Sequence, residues 1–318
     1  MYAHDYISGN VFPMKWLKQP LYRDRATDRF IPQHITFYPT NRCTRNCSWC
    51  SCGKEDRQTE MDIAEILQLF DMLSSIGTEA ITLSGGGEPT LHRDFDHILS
   101  AGNKDYEFKL GLVTNGDLLL NNKLSNKTIN DNVQWLRISL NDKQLEDIDH
   151  IACYIGNEFP EVDKSFSYVV TADSPIDLIK SACEALNKYN LISCIRLTED
   201  AFNSTGQLMQ DIEKHNNGIA KKVIYHYRDN FSKGGSPCYV SRLRPAIDAK
   251  GDVYPCPCVQ YAIPGKEQCL PPETKMCHWT ELAGADYFDG SICKKCFFAN
   301  YNSALNYIAS PTKHMEFV

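Results

Sequence analysis

No apolar run in this 318-residue sequence approaches the roughly 20 residues that span a bilayer, so a membrane protein is not expected. The opening, MYAHDYISGN, lacks a basic stretch followed by an apolar one, which argues against secretion. Positive charge is also in deficit. Lys and Arg number 33 against 40 Asp and Glu, a net of −7, which disfavours a surface that tracks nucleic-acid phosphates. Internal repeats and low-complexity tracts are absent, which sets aside solenoids and long linkers. Cysteine, by contrast, is abundant: fourteen residues, many of them clustered. In the cytoplasmic, reducing setting that these absences suggest, clustered cysteines read as metal ligands rather than disulfides.

Residues 1–30 are polar with scattered charge and read as a surface lead-in with one short helix. From Ile35 onward, short β-rich runs alternate with helical patterns. ITFY (35–38), AITL (80–83), FKLGLV (108–113), VQWLRISL (133–140), FSYVV (166–170), ISCIRL (192–197) and VIYHY (223–227) are strand candidates. Ile63, Ile66, Leu67, Phe70 and Leu73 form one stripe of an amphipathic helix. A second helix is expected after Ser174 as N-cap, with Pro175 in its first turn and Asp177 as a capping acid. Repeated strand–helix units predict an α/β fold with a parallel sheet wrapped by helices. Six or seven strands make a partial TIM-like barrel, with active residues at the strand C-termini. Composition changes near residue 229. Beyond it lie half of the cysteines, a hairpin of AIDA and DVYPC turning at Lys250-Gly251, and a last helix from Asn300 to Ile308.

NRCTRNCSWC holds Cys43, Cys47 and Cys50 at C-x3-C-x2-C, directly after a strand candidate. Three thiolates from one loop fill three corners of a [4Fe–4S] cube and leave one iron open. A zinc knuckle completed by Cys52 is the competing reading. Further along, Gly85-Gly86-Gly87-Glu88 follows the second strand, Thr114-Asn115-Gly116 the third, and Ser139 ends the fourth.

Together these features resemble the radical S-adenosylmethionine (SAM) superfamily. Cys43, Cys47 and Cys50, with Trp49 before the third, are similar to its CxxxCxΦC signature. The GGGE run looks like its GGE motif, whose backbone receives the SAM amino group; close approach there suits residues without Cβ. By resemblance, Trp49, Gly85, Gly86, Gly87, Glu88, Asn115, Ser139 and Arg196 are SAM-binding candidates, Ser139 toward the ribose and Arg196 toward the carboxylate. The family's fold implies a partial (β/α)6 barrel over residues 31–228. Its chemistry implies reductive cleavage of SAM to a 5′-deoxyadenosyl radical, which takes a substrate hydrogen. A flavodoxin or ferredoxin would supply the electron.

The C-terminal region, 229–318, resembles the twitch domain, a shortened relative of the SPASM domain: a β-hairpin plus helix that carries an auxiliary [4Fe–4S] cluster. Carried over by position, the ligands are Cys238, Cys256, Cys293 and Cys296. Cys258, Cys269 and Cys277 are surplus; each could replace a ligand, bind zinc or stand near substrate. Cys52, Cys269 and Cys277 are hydrogen-donor candidates. Relatives of this kind modify peptides or proteins or oxidise small hydroxylated compounds. Only 42 residues precede Cys43, fewer than the roughly 80 of a leader-binding domain, which lowers the peptide reading. A nucleoside or tRNA substrate is disfavoured by the acidic balance. The reading from outside enzymology, a zinc-ribbon module that binds protein or nucleic acid, leaves GGGEP and the strand order unexplained. Cys183, Cys153 and Cys194 read as ordinary packing residues, and His92 as fixing its loop. His226, near a strand end, is not promoted.

Overall fold

Along each of the first six strands, residues alternate between two environments, and this alternation sets the architecture. Ile35 and Phe37, Ile81 and Leu83, Leu110 and Leu112, Leu136 and Ile138, Ile195 and Leu197 all face outward and are buried. Their neighbours in sequence, among them Thr36, Thr82, Arg137, Ser139, Ser167 and Arg196, face inward. A period of two makes this separation automatic. The apolar core therefore lies between sheet and helices, while the inner face stays polar and encloses a chamber.

The computed structural model describes residues 31–309 apart from 204, 229 and 230. The expected N-terminal lead-in and its helix lie outside the described residues. Seven strands run parallel in sequence order: β1 (His34–Phe37), β2 (Ala80–Leu83), β3 (Lys109–Thr114), β4 (Val133–Ser139), β5 (Asp163–Val170), β6 (Ile192–Glu199) and β7 (Val223–His226). The curved sheet is a partial barrel of all seven strand candidates, one more than the six-unit barrel that the resemblance implied. Among the described residues, β1 and β7 do not pair with each other, so the barrel stays open.

Three helices bear on the argument. The first, α1 (Ile63–Ser75), begins where the Asp62 carboxylate accepts from the Ala64 amide at 2.9 Å. It buries Ile66, Leu69, Phe70 and Leu73, a stripe worth about 1.5–3 kcal/mol per large side chain. The second, α2 (Ile176–Ala185), starts one residue later than expected. Ser174 is not its cap, because its hydroxyl accepts from the Thr171 amide at 2.9 Å and meets Tyr168. Cys183 is buried on α2 beside Ile179 and Ala182, as a small apolar residue. The third, α3 (Ala299–Ala309), is the expected closing helix.

The C-terminal hairpin forms as anticipated from β8 (Ala246–Ile247) and β9 (Asp252–Tyr254), with β10 (Cys277–His278) antiparallel to β9. It does not stand apart. β8 runs parallel to β1 with Thr36 opposite Ala246, and the Tyr38 amide donates to the Ile247 carbonyl at 2.9 Å. Ten strands thus form one continuous sheet. Among the described residues, no helix is long and apolar enough to cross a membrane.

Candidate active site and thiol sets

The cysteine turn leaves β1 and is held from three sides. From below, the Gly87 amide donates to the Thr40 carbonyl at 3.0 Å and the Glu88 amide to the Arg42 carbonyl at 2.7 Å. The glycine loop lies so close that a Cβ on Gly86 would meet Asn41 Oδ1 at 2.0 Å, and one on Gly87 the Arg42 carbonyl oxygen at 2.1 Å. A Cβ on Gly85 would meet the Gly87 carbonyl oxygen at 1.7 Å, so Gly85 and Gly87 are fixed by backbone and Gly86 by the Asn41 side chain. Gly85 and Ser84 face the chamber.

From the side, Arg45 reaches out of the turn to Asp117, with Nη2 to Oδ1 at 2.5 Å and Nε to Oδ2 at 3.1 Å. The same guanidinium donates to the Asn115 carbonyl at 2.8 Å and the Ser139 carbonyl at 3.0 Å. The ends of β3 and β4 are thereby joined to the cysteine turn. Burial pushes the Asp117 carboxyl up, but hydrogen bonds from Arg45 and Thr44 outweigh it and hold it below its ordinary value. The sequence reading missed this pair; an arginine inside the cysteine spacing and an aspartate after TNG were its only visible signal.

Glu88 turns away from the chamber and is buried. One carboxylate oxygen accepts from the Thr90 amide and hydroxyl and from Thr114 Oγ1 at 2.6 Å; the other accepts from the Asn115 amide at 2.7 Å. Burial raises its pKa despite those bonds. Asn115 uses its side chain on Thr44 Oγ1, at 2.9 Å. Both residues brace the cysteine turn, and neither lines the chamber. Ser139 and Arg196 do line it. Trp49 is half-buried and lies off its wall.

The sulfurs carry a recurrent feature. The Arg45 amide donates to Cys43 Sγ at 3.4 Å. Backbone amides also face Cys238 (from Ser241 and Val240), Cys256 (from Cys258) and Cys296 (from Phe298) but, among the described residues, not Cys293. Such N–H donors suit thiolates that carry iron, where hydrogen bonds to sulfur tune the cluster. Cys52 accepts instead from the Gln260 side-chain amide, at 3.7 Å. It is buried beneath Gln260, its thiol pushed up to about 12, first by burial and then by Cys50. Among the described residues, no three His, Cys, Asp or Glu side chains converge at the reach of a single ion.

Cys238, Cys256, Cys293 and Cys296 share one small cavity with Pro255, Phe288 and Phe298. The strands of backbone around them are cross-linked: the Cys238 amide donates to the Phe288 carbonyl at 2.9 Å, Cys296 to Ser232 at 2.7 Å, and Gly234 to Cys293 at 2.8 Å. Cys258 is turned the other way, into the barrel chamber. None of the three hydrogen-donor candidates lines that chamber. Cys52 is packed as described, Cys269 bonds the Lys266 carbonyl on a loop, and Cys277 sits in β10 beyond the hairpin. The sulfur that does face the chamber is Cys258, which the sequence reading left among the surplus.

The chamber has a volume of about 950 Å³. Ser51, Ser84 and Gly85 contribute one part of its wall, next to the first thiol set. Pro257, Cys258, Phe297 and Phe298 contribute another, next to the second. His226 also faces it, edge-on to Phe297 with centroids 4.8 Å apart. Burial and the charges of Arg196, Arg228 and Arg137 press its pKa down to about 2, so the imidazole is neutral. His92 is structural, with Nε2 donating to the Met61 carbonyl at 2.8 Å.

Residues 37–138 match the Radical SAM superfamily. That stretch, from the end of β1 into β4, holds the cysteine turn and the glycine loop and is radical SAM in sequence. The S-adenosylmethionine-dependent nucleotide dehydratase of Selenomonas ruminantium is 33% identical over 90 residues, 28% of this chain and 32% of that protein. The GTP 3′,8-cyclase of Haemophilus influenzae is 32% identical over 99 residues, 29% of each chain. The chain thus spans less than a third of the length of these curated relatives.

Among solved structures, Streptococcus suis SuiB bound to precursor peptide SuiA aligns with a TM-score of 0.57 at 14% identity, over 87% of this chain and 73% of that one. The protein anSMEcpe with bound AdoMet and Kp18Cys peptide aligns with 0.53 at 12%, over 88% and 84%. These likenesses are of fold alone, over most of the chain.

Proposed function

We propose that the chain is a two-cluster radical SAM enzyme that abstracts a hydrogen atom from a peptide or small molecule bound in the barrel chamber. In this reading Cys43, Cys47 and Cys50 hold the SAM-binding [4Fe–4S] cluster. Cys238, Cys256, Cys293 and Cys296 hold an auxiliary one, in a C-terminal region of residues 229–318 that follows a core of 31–228. When bound, the first cluster with SAM supplies hydrogen-atom abstraction, with electrons from a flavodoxin or ferredoxin.

The chain's own residues have the remaining tasks. Gly85 offers open backbone to SAM, Ser139 and Arg196 face it from β4 and β6, and Trp49 covers the cysteine turn. Glu88, Asn115, Arg45 and Asp117 fix that turn. Neutral His226 cannot serve as a cation, and Cys258 is the thiol placed to meet a substrate.

The observation that carries the reading is the shared wall. Residues adjoining both thiol sets line one chamber, so a molecule in it would lie between the two. SuiB and anSMEcpe were captured with peptides, which supports the peptide option; the curated relatives named for nucleotides support a small molecule.

The test is anaerobic reconstitution followed by iron and sulfide counting, then incubation with SAM and dithionite. About eight irons per chain and release of 5′-deoxyadenosine are expected. Zinc without sulfide, or no 5′-deoxyadenosine from fully loaded protein, would sink the proposal.

A further inference from the structure

The chamber wall carries four arginines that no carboxylate among the described residues pairs with. Arg137 and Arg196 occupy inward positions of β4 and β6, Arg228 lies two residues past β7, and Arg244 two before β8. Among the described residues none of them forms an ion pair. The Nε of each is buried without a hydrogen-bond partner. They also repel one another: Arg137 acts on Arg196 and Arg244, and Arg196 on Arg228.

The carboxylates at the end of β6 are committed to other hydrogen bonds, although Asp200 also favours the Arg228 charge through space. Glu199 accepts from the amides of Thr205 and Arg228, and Asp200 from the Phe202 amide and the Asn203 side chain. Glu161 and Asp163 line the chamber too, but from the opposite end of the sheet, where β5 begins. The other groups facing the guanidinia are His226, Cys258, Tyr38, Trp135, whose ring centre lies 5.6 Å from Arg137, and Tyr261, over whose ring Arg228 lies at 4.6 Å. None of these is an acid of the carboxylate class.

A guanidinium stays charged in any protein setting, and an enclosed, unpaired charge costs stability. Four together are a standing cost to the empty chain, of the kind retained at sites that bind something. The compensating group is an anion. SAM brings one carboxylate, which Arg196 can take, and three arginines remain. A carboxylate presents two oxygens in one plane, whereas a phosphoryl group presents three in different directions. Arginines arriving from β4, from beyond β7 and from before β8 suit the second. The volume holds SAM and one further small molecule.

We propose that the substrate is a small molecule carrying a phosphoryl group or a chain of them, bound through Arg137, Arg228 and Arg244. This rests on the radical SAM reading for its use, though not for the binding itself.

The test titrates the reconstituted holoenzyme, saturated with SAM, with inorganic tripolyphosphate, and in parallel with citrate. Tripolyphosphate is expected to bind and to raise Tm. Arg137→Met and Arg244→Met should each weaken that binding at least about tenfold, yet raise the Tm of the anion-free protein because repulsion is relieved. No binding of tripolyphosphate, equal binding by the variants, or binding of citrate alone overturns the proposal. Release of 5′-deoxyadenosine is followed in the same samples. Cleavage without anion binding defeats this inference alone, and anion binding without cleavage defeats the radical SAM reading alone.

Discussion

Arg45 and Asp117, 72 positions apart, form the ion pair that pins the cysteine turn to the ends of β3 and β4. Asp117→Ala would leave the Arg45 guanidinium with backbone carbonyls only. The expected result is a loss of about 1–3 kcal/mol and faster iron release from the first thiol set under chelator. Denaturant unfolding and iron retention measure the two effects, and unchanged iron retention would deny the pair its positioning role.

The glycine loop offers a steric prediction. Gly87→Ala drives a Cβ into the Arg42 carbonyl, and backbone cannot swing aside as a side chain can. Overpacking of this kind costs about 1–3 kcal/mol, and it should also displace the turn before Cys43. Tm should fall and SAM affinity weaken. Gly284→Ala, where nothing lies within 4 Å of the added carbon, is the control and should leave both unchanged.

Cys256 and Cys258 are two residues apart and face opposite ways. Cys256→Ala should lower iron from about eight to about four per chain while SAM cleavage persists without substrate product. Cys258→Ala should keep all the iron, and any loss should fall on product formation. If the Cys258 variant lost iron instead, the ligand assignment would have to change.

Asp248 supplies a pH dependence. Burial lifts its carboxyl from an ordinary value of 3.8 to about 6. Between those values the folded chain holds a proton that the unfolded chain has released, so stability falls as pH rises from about 4 to about 6. Asp248→Asn keeps the oxygen that accepts from the Lys250 and Asp252 amides, both at 2.9 Å, and never ionises. It should stabilise the protein by about 3 kcal/mol at pH 7.5 and by less at pH 5, as read by denaturant unfolding at the two pH values.

Much of the fold was legible because its signals are local. A β-run carries its own alternation, and C-x3-C-x2-C carries its own turn, so neither depends on the rest of the chain. The second thiol set was legible only through resemblance, since Cys238 and Cys293 meet through backbone pairing across 55 positions. The arginine wall was not legible at all. Arg137, Arg228 and Arg244 come from three separate parts of the chain, and only the curvature of the sheet turns them toward one space. Arg196 was noticed for SAM, but its neighbours were not. Ser174 misled because its hydroxyl is taken by the Thr171 amide and by Tyr168. Likewise, Cys52 looked available beside the first thiol set until Gln260 and Tyr38 were found to cover it.

The pairing of β8 with β1 has a consequence for handling the protein in pieces. Without the hairpin, β1 would present a row of unsatisfied amides and carbonyls flanked by Ile35 and Phe37, the kind of raw border on which chains stack into aggregates. A version cut after residue 228 should therefore precipitate rather than survive as a simpler enzyme. The C-terminal region serves as a selvedge, finishing the edge of the cloth from which the barrel is made.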